Sequence, residues 1–90
     1  MALWMTWDLE GVGTASQSVE GVEEAAKWLI DSTERSRRVF DAEWEWCRLM
    51  DAALRVRAAM LDEGRRTLER GAPWESTDEG VKIRLTPRGA

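Results

Sequence analysis

The sequence predicts a mainly α protein, an unequal helical hairpin or one long helix with short β-strands at both termini, forming a single small domain over residues 1–90. Three observations carry that expectation. Period-two alternation marks both ends: Leu3, Met5, Trp7 and Leu9 share one side of residues 2–9, and Val81, Ile83 and Leu85 share one side of residues 81–86. Neither glycine nor proline occurs from Val22 to Glu63, 42 residues rich in Ala, Glu, Arg and Leu. Along and beyond that span Phe40, Cys47, Leu54, Leu61 and Leu68 recur every seven residues, flanked by Val39, Trp46, Ala53 and Met60.

Each element follows from local chemistry. The first strand ends where Gly11-Val12-Gly13-Thr14 breaks the alternation. A helical region over 16–70 comes next. Thr14 with Gln17 matches a capping box, Ser16 or Ser18 offers an alternative cap, and Glu20, Glu23 and Glu24 suit the positive end of the helix dipole. Arg65, Arg66 and Arg70 suit its negative end, and Gly71 followed by Pro73 stops it. Gly80 precedes the second strand and Pro87 ends it. The two strands can pair as a ribbon, which is stable only when it lies on an apolar surface.

Residues 31–38, Asp-Ser-Thr-Glu-Arg-Ser-Arg-Arg, decide between hairpin and continuous helix. They are polar all round, and Asp31 with Glu34 resembles a fresh capping box, which favours a turn. A continuous helix of about fifty residues would be roughly 75 Å long at 1.5 Å per residue, outside ordinary helix lengths. In the hairpin, a first arm near 18–31 covers only half of a second arm near 35–70. Leu54, Met60, Leu61 and Leu68 are then left facing water, although burying each is worth roughly 1.5–3 kcal/mol. They are accordingly the expected self-association residues, with a dimer as the expected oligomer. Glu43, Arg57 and Gly64, at companion positions of the seam, argue against a strict coiled coil.

The composition removes most catalytic chemistry. With no histidine and one cysteine, the chain lacks an internal disulfide, a Cys/His zinc site, a Ser-His-Asp triad and a Cys-His dyad. Cys47 reads as a buried thiol on the apolar seam. Asp41, Glu43 and Glu45 read as a solvated acidic face, and Gly11-x-Gly13 lacks the rest of a dinucleotide motif. No catalytic residue, metal ligand or cofactor is therefore expected. The longest apolar run is Met1–Met5, far short of the roughly 20 residues of a membrane helix. No basic segment precedes it and no signal-like apolar stretch follows. The expectation is a cytoplasmic protein without a membrane partner.

Charge points the same way. Residues 1–34 carry seven acids against Lys27, residues 35–72 carry nine arginines against seven acids, and the net charge is −4. Arg35, Arg37 and Arg38 near Trp44 and Trp46 resemble a stacking site for single strands, but Glu34, Asp41, Glu43 and Glu45 surround them. Nucleic acid is not the expected partner, because phosphate binding needs a clear positive excess. The expected function is a non-catalytic protein–protein interaction module, either a self-associating accessory subunit or a small inhibitor docking on a larger protein. The alternative is an acidic regulator of a nucleic-acid-handling complex acting by phosphate mimicry. Six tryptophans supply the anchors such contacts use. The expected docking residues are Trp44 and Phe40, rimmed by Arg37, Arg38, Asp41 and Glu45, with Trp74 as a further site. Trp46 is assigned to the fold.

Overall fold

Strict alternation makes Leu3–Leu9 a strand, β1, in the computed structural model, which describes residues 2–88. A three-residue connection with Gly11 at φ 80° turns the chain into a second strand, β2, Gly13–Val19. Near the other end two more strands, β3 (Trp74–Asp78) and β4 (Val81–Pro87), are joined through Glu79 and Gly80. Both of those residues have positive φ (35° and 92°), the two-residue type I′ turn that matches strand twist. β1 and β4 pair antiparallel from Leu3 opposite Pro87 to Leu9 opposite Val81. The two hairpins are thereby zipped into one antiparallel sheet of order β2-β1-β4-β3.

Between the hairpins lie the helices. α1 spans Val22–Arg35 and ends in a 3-10 turn, Ser36–Val39. α2 spans Glu43–Ala59, continues through a π-turn at Met60–Gly64, and finishes as the short α3, Arg65–Glu69. α1 lies over β1 and β2, and α2 over β4 and β3. The core fills the space between the layers. Leu3, Met5, Leu9, Val81, Ile83 and Leu85 come from the sheet, and Leu29, Val56, Met60 and Leu68 from the helices, all at 1% exposure or less.

This corrects the mainly α expectation. The structure is two helices packed on a four-stranded antiparallel sheet, 52% helical and 30% strand. The ribbon formed by the two ends is present, but it is the centre of a sheet. A single long helix is excluded by a longest dimension of 44 Å. The break between helices falls at 36–42, where the 3-10 turn and Phe40 (ψ 134°) leave helical geometry, rather than at 31–38.

The proposed capping box lies inside β2. α1 begins instead at Gly21, where Glu24 reaches back to accept the Glu20 backbone N–H at 2.9 Å. Cys47 is exposed, not buried. Met60 and Leu68, expected to face water, lie in the chain's own core at 0% and 1% exposure, because the sheet covers the half of the helix that a hairpin would leave bare. Leu61 packs half-buried against that core, and only Leu54 of the four is exposed, at 37%.

Candidate functional site

The first turns of α2 stand where both hairpin loops converge. The Glu10 N–H donates to the Gly80 carbonyl at 2.8 Å, tying the β1–β2 connection to the β3–β4 turn. α2 buries Leu49, Ala52, Ala53 and Val56 against the sheet. Its opposite rows then present Trp44, Arg48, Asp51 and Arg55 beside the β3–β4 turn. Trp44 is 65% exposed, the most exposed large apolar side chain among the described residues. It rims an open groove whose floor and walls are Gly11, Phe40 and Leu49, with Glu10, Glu45, Arg48 and Glu79 around the edge.

Two tryptophans one residue apart on either side of Glu45 do different things. The indole N–H of Trp46 donates to the Thr33 carbonyl at 2.8 Å, satisfying one of the orphan acceptors at the end of α1. The Arg37 guanidinium stacks on its ring, 4.8 Å from the centroid, and also pairs with Glu43. Ser36 donates to the same Thr33 carbonyl at 2.6 Å, and Thr33 donates to Leu29 at 2.8 Å. Trp46 thus closes the α1–α2 corner. The Trp44 indole N–H donates to no acceptor among the described residues.

Ion pairs fix one side of the groove. Arg48 meets Glu79 at 3.2 Å, and Arg55 grips Asp78 with two hydrogen bonds of 2.8 and 2.9 Å. Those bonds from Arg55 hold the Asp78 carboxyl below its ordinary range and raise the Arg55 guanidinium in turn. Glu10 and Glu45 make no ion pair among the described residues. The groove edge therefore carries two unpaired carboxylates next to a bare indole. Among the described residues no cluster of three metal-ligating side chains occurs.

Of the residues singled out in the sequence, Phe40, Trp44 and Glu45 come together in this groove. Arg37 turns away to Trp46, and Arg38 and Asp41 are exposed without lining it. Trp74 is elsewhere and only 4% exposed, packed against Gly64, so it is a core residue and not a surface anchor. Glu10, Gly11 and Glu79 carry no local signal of a site, because only the pairing of β1 with β4 brings their two loops to α2. In comparisons with known proteins the chain matches no family model, no curated protein and no solved structure.

Proposed function

We propose that this protein is a non-catalytic protein-binding module whose partner docks on the Trp44 groove. The exposure of Trp44 carries the reading. A large, stiff indole held 65% open on a helix, with no hydrogen-bond or packing duty comparable to that of Trp46, is the residue type on which binding energy concentrates. Phe40 and Leu49 give the groove an apolar floor, and Glu10 and Glu45 give it a negative rim. That combination suits a segment with an apolar side chain next to a lysine or arginine, the cation lying on the indole face or against the carboxylates. The absence of histidine and the exposed, baseless position of Cys47 support a binding role over a catalytic one.

The test compares two tryptophan variants. Partners captured from native extract by the wild-type chain are measured again with Trp44→Ala and Trp46→Phe. Trp44→Ala should abolish capture while changing unfolding free energy by less than about 1 kcal/mol, as a surface substitution does. Trp46→Phe should keep capture and lose about 1 kcal/mol of stability with its hydrogen bond. Capture that survives Trp44→Ala, or unfolding of that variant, refutes the assignment.

A further inference from the structure

The two edges of the sheet are not alike. β3 is five residues long, and its Glu75 and Asp78 are engaged by Arg84 and Arg55. β2 is seven residues long, Gly-Thr-Ala-Ser-Gln-Ser-Val, with no charge, no proline and unbroken pairing to β1 from Val19 to Gly13. Natural edge strands are usually guarded against further pairing by lysine, proline or a bulge. β2 has none of these. Its outer row of backbone N–H and C=O groups faces water and stands open as a template for another strand.

The surface beside that edge is unfinished as well. α1 buries only Val19 of β2. Ala15 is exposed, and a groove runs between β2 and the end of α1, lined by Trp7, Leu9, Val12, Ala15 and Val39. Val39 is 55% and Val12 39% exposed there. On the side of α1 turned from α2, Glu24, Trp28 and Arg35 form one stripe: Trp28 donates to Glu24 at 3.4 Å, and Arg35 lies 5.8 Å from the Trp28 ring centroid. The stripe is acidic in the first turn of the helix, at Glu24, and basic in its last turn, at Arg35.

We infer that β2 pairs antiparallel with β2 of a second copy of this chain, about a two-fold axis at Ser16, joining two sheets into one of eight strands. The only register that uses all seven residues sets Ser16 opposite Ser16, Ala15 opposite Gln17, Thr14 opposite Ser18 and Gly13 opposite Val19. No like charges meet. α1 runs back along β2, from beside Val19 to beside Thr14, so the same axis sets the two α1 helices antiparallel. The acidic start of each then faces the basic end of the other. Ser16 is about 10 Å from Val19 at 3.3 Å per residue, or about seven helical residues, which places Trp28 beside the axis. A foreign strand would satisfy the same backbone groups but brings no helix of matched charge, whereas a second copy brings both. An isologous contact of this kind closes at two and does not propagate.

This surface is separate from the Trp44 groove, and Trp44→Ala leaves it intact. Sedimentation of the whole chain should give a dimer. Ala15→Lys with Gln17→Lys puts lysine opposite lysine twice across the axis and should weaken the dimer by about tenfold or more, whereas Ala15→Lys with Gln17→Glu should preserve it. A cysteine at the axis gives an independent reading. In a Cys47→Ser background, Ser16→Cys should oxidise to a covalent dimer, because directly opposed strand residues lie within disulfide reach. Thr14→Cys should not. A chain that stays monomeric up to millimolar concentration, a dimer indifferent to the paired lysines, or cross-linking at position 14 in place of 16 overturns the inference. Should the lysine pair fail to fold, the cysteine variants decide it.

Discussion

Gly64→Ala sets helix propensity against packing, and the structure gives the sign. Gly64 is buried inside the π-turn, where an alanine would ordinarily stabilise a helix by about 1 kcal/mol. A Cβ added there would stand 3.1 Å from Cδ2 and 3.3 Å from Cε2 and Cε3 of Trp74. The Trp74 ring is 4% exposed and flat against the helix, so it has little room to retreat. Overpacking of this kind costs about 1–3 kcal/mol. Against the propensity gain, the net is a loss of about 1 kcal/mol, and about 4–8 °C in Tm for a chain of this size. In a Trp74→Leu background the ring is gone, and Gly64→Ala should then stabilise by about 1 kcal/mol. Urea unfolding of the four proteins, followed by circular dichroism, closes the cycle with an interaction energy of about 2 kcal/mol. Stabilisation by Gly64→Ala with Trp74 in place would show that the ring yields and refute the reasoning.

Three further outcomes are expected of the same fold. Asp78 titrates below its unfolded value because of its Arg55 hydrogen bonds, so that contribution is complete above about pH 4 and is lost as pH falls through the lower folded value. Asp78→Asn should therefore flatten the acid side of a stability-against-pH curve, and an unchanged curve would count against the pairing. Cys47 should react fully with a thiol reagent under native conditions, one equivalent per chain, whereas labelling only in denaturant would place it in the core. Met60→Ala should cost about 2–5 kcal/mol as a core truncation, against about 1 kcal/mol or less for Leu54→Ala. Equal losses in chemical denaturation would mean that the helix is rotated from the face described.

The central sheet pair was legible because β1 and β4 are half-buried strands with a clean alternation of large apolar and polar residues. β2 and β3 were not, and for a physical reason. β2 buries only Val19, since α1 covers one end of it, and β3 buries only Trp74 among its apolar residues. An uncovered edge strand needs no hydrophobic period, so it writes none into the sequence. The signals that were present lay in the connections. Glu10-Gly11-Val12 is a three-residue hairpin loop, and Glu79-Gly80 is a two-residue one, each beside a recognised strand. Starting the helical region at residue 16, with Thr14, Ser16 or Ser18 as its cap, followed from those serines and threonine, residues that suit caps and turns and also sit well on the open face of a sheet.

The seven-residue line failed for a different reason, and the failure explains why the Trp44 groove was only partly visible. Phe40, Cys47, Leu54 and Leu61 are large or conspicuous, yet the face of α2 that meets the sheet is Leu49, Ala52, Ala53, Val56 and Met60, where two alanines let the layers approach closely. The flanking line through Trp46, Ala53 and Met60 lies nearer the buried face than the seam chosen. The π-turn then adds a residue to one turn and advances the phase, which is how Gly64 and Leu68 arrive in the core after Met60. Rotating the helix by one position moves Cys47 and Leu54 outward. Trp44 lies farther round on the face shared with Arg48 and Asp51, with its ring beside the hairpin loops. Spacing within α2 was therefore enough to separate Trp44 from Trp46, but not to find Glu10, Gly11 and Glu79. Those residues reach the groove through the register between β1 and β4, a long-range pairing that brings the two ends of the chain to the first turn of α2.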